Sequence, residues 1–203
     1  MRCWRGLPLL FLLGACAAPH ADPDPRTPRQ VALAARCDSV VRALVGRAYG
    51  ASVLVSLNDT VILNAGYGSI DNAVAQVPTD TTVFNIASIS KSFTAVCIAQ
   101  LEASGKLQRS DNLGRFLPEL PADKRMITIE QCLTHTSGLG QHYIADGTRS
   151  LEDAVRAIGQ DSLDTIPGSG FRYSNENFEL LAAVVERVSG APFDAYLRAH
   201  VLQ

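Results

Sequence analysis

The strong β signal of this chain lies in one short window, and the sequence downstream of that window is helical in pattern. Residues 51–57 and 60–65 are β-branched and apolar, and Asn58-Asp59 between them suits the two-residue turn of an antiparallel hairpin. Gly66-Tyr67-Gly68 closes the second strand. Upstream, residues 31–45 repeat apolar side chains at helical intervals (Val31, Ala34, Ala35, Val41, Leu44, Val45), which predicts an amphipathic helix. Downstream, a helix is expected from Ser88 or near it through Leu101, with apolar positions at Phe93, Val96, Cys97 and Leu101 and a stop at Gly105. Three more are expected: 129–133 behind Thr128, 151–158 behind Ser150, and 177–188 ending at Gly190. Helix, hairpin, then helices is the order of an α+β fold rather than of alternating β and α. Two strands alone leave unpaired edges and make a poor sheet.

With 203 residues and 47% hydrophobic content, the chain has room for one domain with a sizeable core. A formal net charge of −2 supplies no basic field for nucleic acid, which is set aside as a partner. The histidines His20, His135, His142 and His200 show no metal-ligand spacing, so neither a metal nor another cofactor is expected. The first residues do not read as fold. Arg2 and Arg5 precede the apolar run 7–13, too short to span a bilayer but suited to the core of a secretory signal. That run ends in Leu13-Gly14-Ala15-Cys16, similar to the lipobox of bacterial lipoproteins, in which the cysteine is lipidated. Ordinary cleavage after Ala15-Cys16-Ala17 and an uncleaved apolar anchor are the alternatives. The favoured reading makes residues 1–16 a lipoprotein signal with Cys16 as lipid site, 17–30 a proline-rich extended tether, and 31–203 the domain. The protein would then be exported and held at the periplasmic or cell-envelope membrane. Cys37, Cys97 and Cys132 remain, an odd number that permits at most one disulfide.

Three lysines occur, and one of them, Lys91, comes three residues after Ser88 within the stretch FNIASISKSFTAV. On a helix the two share a face, close enough for the amine to reach the hydroxyl. An oxyanion at a helix start is stabilised by free N–H groups and the helix dipole. Desolvation by Phe84, Ile86 and Phe93 would make Lys91 a competent base for Ser88. The competing reading is a capping serine and a surface lysine. Further on, the Pro167-Gly168 turn delivers Tyr173 and Asn175 two residues apart, just ahead of a helix. They read either as a proton shuttle and hydrogen-bond donor in a cleft, or as a packing tyrosine and an N-cap asparagine.

Ser88-Ile89-Ser90-Lys91 as S-x-x-K, Tyr173-Ser174-Asn175 as Y-x-N, and the segment LTHTSGL at 133–139 stand together in an order and spacing that resemble the serine β-lactamase and penicillin-binding protein superfamily, in its class C β-lactamase, D-alanyl-D-alanine carboxypeptidase and esterase branch. The resemblance runs from about Val31 to Gln203. It implies a β-lactamase/transpeptidase-like fold and a serine hydrolase acting through an acyl-enzyme on a β-lactam, a D-Ala-D-Ala peptide or an ester. It further implies Ser88 as nucleophile, Lys91 and Tyr173 jointly as the proton-transfer pair, and Asn175 as a substrate ligand. His135 is taken as structural, holding the turn that ends at Gly138. Members of that branch continue into further helices and strands, one of which carries K-T-G or H-x-G, and no such motif is present here. The corresponding expectation is a C-terminally truncated and inactive chain, with a non-catalytic remnant or ligand-binding lipoprotein as the alternative function.

Overall fold

The structure is a computed structural model that describes residues 24–45, 49–71 and 76–202. The signal region and Cys16 lie outside the described residues. The chain forms two compact units, Met1–Phe84 and Asn85–Gln203.

In the first unit, helix α1 (Pro28–Val45) precedes the hairpin of β1 (Ala51–Leu57) and β2 (Thr60–Tyr67). The helix begins three residues ahead of the expected start, inside the stretch that reads as tether. Thr27 and Gln30 are the reason. The Thr27 N–H donates to Gln30 Oε1 at 2.8 Å, and the Gln30 N–H donates to Thr27 Oγ1 at 3.3 Å. That reciprocal capping pair sets the helix start, and Pro28, lacking an N–H, suits the first helical position.

Asn58 and Asp59 take φ of 50° and 61°, the double left-handed geometry of a type I′ turn. Val55 pairs with Leu63 but Ser56 pairs with Val61, so Ile62 is the extra residue of a bulge. Its carbonyl accepts from Arg26 Nη1 at 2.7 Å, and its side chain is buried with Ala34 and Tyr67. Tyr67 Oη donates to Asp38 Oδ1 at 2.8 Å, tying β2 to α1. Outward-facing Leu54 and Val61 stay exposed, as the unpaired faces of a two-stranded sheet require.

The second unit is helical: α2 (Ser90–Ala103), α3 (Ala122–Arg125), α4 (Ile129–Leu133), α5 (Leu151–Gln160), α6 (Glu176–Ser189) and α7 (Phe193–His200). Its core joins Cys97, Ile98 and Leu101 of α2 to Leu180, Leu181, Val184 and Val185 of α6, with Ile129, Cys132, Val155 and Ile158 from the helices beside them. The buried face of α2 is Thr94, Cys97, Ile98 and Leu101, spaced at i, i+3, i+4 and i+7. Val96 is turned outward, against expectation, and Phe93 lines a cleft. Thr128 and Gln131 form a full capping box on α4, Ser150 caps α5 through the Asp153 N–H, and left-handed Gly190 ends α6.

The helix α4 ends at Leu133, within its expected bounds, and its closure is made ahead of Gly138. The Thr136 N–H bonds the Gln131 carbonyl at 2.8 Å and the His135 N–H bonds that of Cys132 at 3.2 Å, a Schellman closure in which His135 holds the left-handed position at φ 55°. Gly138, at φ 82°, serves a later turn. Its carbonyl accepts from Asp164 and Thr165, and a Cβ there would come within 2.2 Å of the Thr165 carbonyl oxygen.

Among the described residues Cys37, Cys97 and Cys132 are all free thiols. No helix among them is long and apolar enough to cross a membrane, and no acidic, cysteine and histidine cluster there could hold a metal ion.

Candidate active site

Ser88 lies in a 3-10 turn, Ala87–Ile89, that leads into α2. Ala87 takes φ 45°, its N–H capped by Asn85 Oδ1 at 2.7 Å. A non-glycine residue held left-handed costs on the order of 1–2 kcal/mol, and this one immediately precedes the serine. Lys91, one turn on, donates from Nζ to Ser88 Oγ at 3.2 Å and to Asn175 Oδ1 at 2.8 Å. Ser88 Oγ lies 2.7 Å from Tyr173 Oη. Four residues from segments some 85 positions apart therefore meet as one hydrogen-bonded cluster in the second unit.

These contacts bear on the paired readings of Tyr173 and Asn175. Asn175 occupies the N-cap position of α6 but makes no side-chain capping bond; its oxygen holds Lys91 instead. Tyr173 turns its hydroxyl to the serine rather than into a core. The Lys91 ammonium, then the Ser88 hydroxyl, hold the Tyr173 phenol below its ordinary pKa range against the opposing effect of burial. Apolar cover on Lys91 comes from the rings of Tyr173 and Phe178, whose centroids lie 5.1 and 5.7 Å from Nζ. Phe84 and Ile86, expected to supply it, are largely exposed, though Ile86 and Phe93 line the cleft on which Ser88 opens.

The support behind Tyr173 is His135. The two rings stack with centroids 4.4 Å apart, and His135 Nδ1 accepts from the Ser174 N–H at 3.2 Å. Burial first, and the nearby Lys91 charge second, lower the pKa of His135, which keeps Nδ1 an acceptor. The histidine, whose backbone closes the turn after α4, thus also supports the Tyr-Ser-Asn stretch with its ring. Glu176, fully buried, accepts from the Ser174 hydroxyl at 2.7 Å and from the His142 N–H at 3.0 Å, anchoring the same stretch from behind. Sequence reading missed Glu176, Phe178 and Glu179. Their spacing from Asn175 along one helix was the available signal for the last two.

The cleft has a volume of about 650 Å³ and is lined by Ser88, Lys91, Phe93, Asn175, Phe178 and Glu179 among others. Helical packing of α2 on α6 beneath a serine, lysine, tyrosine and asparagine cluster defines a serine-hydrolase-type fold. The chain belongs to the Beta-lactamase family, whose model matches residues 37–203.

Protein flp of Staphylococcus aureus (strain MW2) is 34% identical over 169 residues, which cover 78% of this chain and 34% of that protein. FmtA from Staphylococcus aureus superposes with a TM-score of 0.73 at 25% identity, covering 82% of this chain and 47% of that one. EstCE1, a hydrolase with promiscuous acyltransferase activity, superposes at 0.71 with 26% identity, covering 86% and 51%. The chain thus spans about a third of that curated relative and about half of each solved structure.

Proposed function

We propose that this chain carries the acyl-transfer centre of an exported, lipid-anchored serine hydrolase of the class C β-lactamase, carboxypeptidase and esterase branch. The observation that carries the reading is the position of Ser88 Oγ, within hydrogen-bond reach of both Tyr173 Oη and Lys91 Nζ. Lys91 has its donors directed at Ser88 and Asn175, so the serine oxygen receives a hydrogen bond from the ammonium and has its own proton left to donate to Tyr173. A pKa held below the ordinary range makes the Tyr173 phenolate, the form that can take up that proton, more accessible. Ser88 Oγ then attacks a carbonyl carbon as its proton passes to the Tyr173–Lys91 pair, and the carbonyl oxygen takes up the negative charge. The Ser88 N–H, at the start of the helical turn, is a suitable donor to that oxyanion. Collapse expels the amine or alkoxide, which takes the proton back from the pair. Water, deprotonated by the same pair, attacks the acyl-serine ester; Ser88 Oγ leaves, takes that proton back from the pair, and the acid is released. Asn175 keeps Lys91 in register and offers its amide N–H to the substrate amide or ester.

Substrates of this chemistry are β-lactams, D-Ala-D-Ala peptides and simple esters, and the likeness to EstCE1 favours including esters. The test is covalent labelling with a fluorophosphonate and with a fluorescent penicillin, followed by peptide mass spectrometry. An adduct on Ser88 that disappears in Ser88→Ala is expected. Labelling at Ser90 or Ser92, or labelling that survives Ser88→Ala, would overturn the assignment.

A further inference from the structure

Glu179 is the acidic side chain in the wall of the Ser88 cleft, and the cluster around Ser88 does not use it. It lies one helical turn beyond Asn175 on α6, about 6 Å along the axis. Around it the cleft is apolar: Phe93, Phe178, Ala182, Phe193 and Leu197 line the same space. Its Oε2 is buried without a hydrogen-bond partner among the described residues. Such an oxygen commonly costs a folded protein stability unless something pairs with it. The nearest cation is no such partner, because Lys91 directs its hydrogen bonds to Ser88 and Asn175. The other charges that face Glu179 are Glu176 and Asp146, both acidic. The end of the cleft at Glu179 is therefore short of a hydrogen-bonded positive charge, and the side chains Phe93, Phe178, Ala182, Phe193 and Leu197 there suit hydrocarbon.

Resting on the serine-hydrolase reading for the group that occupies the mouth of the cleft, we infer that Glu179 is a specificity residue: it receives the terminal ammonium of an acyl chain whose carbonyl sits at Ser88 and whose methylene stem lies against Phe93 and Phe178. The favoured substrate class is an ester or amide of an ω-amino acid, or of a diamino acid presenting its side-chain amine, with roughly four to six carbons between carbonyl and nitrogen; that length comes from one turn of α6 added to the reach from Ser88 through Lys91 to Asn175. A half-buried acid paired with an incoming cation makes a charge-assisted hydrogen bond that a neutral chain of the same shape cannot make, so the discrimination lies in the ammonium and not in the stem. Burial, followed by Glu176 and Asp146, raises the Glu179 pKa to about 7 against a smaller opposing effect of Lys91. The site is thus an ionised receptor at about pH 8 and largely a neutral acid at about pH 6.

The test separates binding from turnover. Isothermal titration of the whole protein with n-hexylammonium and with 1-hexanol at pH 8 should show the amine bound at least tenfold more tightly. The preference should shrink by up to about tenfold at pH 6, in step with the ionised fraction of a group titrating near 7. Glu179→Gln should bind both compounds alike, and Glu179→Asp should retain part of the preference; circular dichroism checks that both variants are folded. Equal affinity for the two compounds, or a preference that survives Glu179→Gln, overturns the inference. In a parallel assay, the 4-nitrophenyl ester of 6-aminohexanoate should acylate Ser88 at least tenfold faster than that of hexanoate. Acylation of Ser88 by both esters at equal rates refutes the amine site and leaves the hydrolase reading standing. Glu179-dependent amine binding without acylation of Ser88 by either ester does the reverse.

Discussion

Replacing Glu179 by glutamine should stabilise the protein above neutral pH and lose that advantage in acid. The carboxyl has an ordinary pKa of 4.5 and is raised to about 7 in the folded chain, burial being the largest cause. Between those values the folded state binds more protons than the unfolded one, so stability falls as pH rises from about 4.5 to 7. At about 1.36 kcal/mol per pH unit the interval sets a ceiling of about 3 kcal/mol. The side chain is only partly buried, so solvent screens the effect and roughly 1–2 kcal/mol is the expected size. Glutamine is neutral throughout and lacks the slope. The difference in unfolding free energy between variant and wild type should therefore move by about 1–2 kcal/mol in favour of the variant from about pH 5 to pH 8. The assay is urea denaturation monitored by far-ultraviolet circular dichroism, because the single tryptophan, Trp4, lies outside the described residues. Taking the difference removes other titrating groups such as His142, which contribute equally to both proteins. A difference that stays flat across this range would show that Glu179 titrates as a solvated acid, and the argument from its burial would fail.

Lys91→Ala and Tyr173→Phe should each slow acylation of Ser88 by about 100- to 10,000-fold with the circular dichroism spectrum unchanged, and the double variant should lose less than the product of the two. Lys124 is fully buried, its Nζ 2.5 Å from the Asp161 carbonyl oxygen at the end of α5 and 3.3 Å from Asp123; Lys124→Ala should cost about 3–5 kcal/mol, read by denaturant midpoint. Cys132, whose thiol burial pushes well above its ordinary range, and buried Cys97 should stay unlabelled by iodoacetamide in the native protein and react after denaturation, as mapped by peptide mass spectrometry. Cys16→Ser should move the protein from the membrane fraction to the soluble fraction of a bacterial host, measured by immunoblot of the two fractions.

The features legible in the sequence were local ones. The hairpin could be read because Asn58 and Asp59 tolerate the positive φ that a type I′ turn requires, and the helices at 129 and 151 because Thr128 and Ser150 are capping residues. The start of α1 is displaced from expectation because proline reads as a breaker where the Thr27–Gln30 pair makes it a first helical residue. The residue that closes α4 was not legible, because glycine is the usual left-handed residue and a histidine holds that position. For the site, the Ser88–Lys91 juxtaposition comes from helical spacing alone. That Tyr173 and Asn175 join them rests on the packing of α6 against α2, which no local pattern encodes; the family resemblance supplied it. Neither source indicated the Glu179 carboxyl, whose meaning depends on which neighbours fail to pair with it.

Two residues with left-handed backbone that are not glycine flank the cluster, and their placement explains how it is held. Ala87 precedes the serine, and His135 lies under the tyrosine. Each conformation costs on the order of 1–2 kcal/mol and persists only where surrounding contacts over-determine it. At Ala87 those contacts are the Asn85 cap on its N–H and the Ser90 hydroxyl on its carbonyl, both 2.7 Å. At His135 they are the Schellman closure of α4, the carbonyl that accepts from the Arg172 N–H at 2.7 Å, and the ring bonded to Ser174. Glycine at 135 would relieve the backbone but remove the ring on which Tyr173 stacks. The strain at 135 is thus tied to the role of its side chain, since only a planar acceptor at that position can support the phenol with its face and the next peptide with its edge. Tyr173 and Asn175 point to one side toward Ser88 and Lys91, and Ser174 points to the other, into the Glu176 carboxylate. A two-residue spacing between phenol and amide lets a non-helical stretch send both groups into the cleft while the residue between them is anchored behind it.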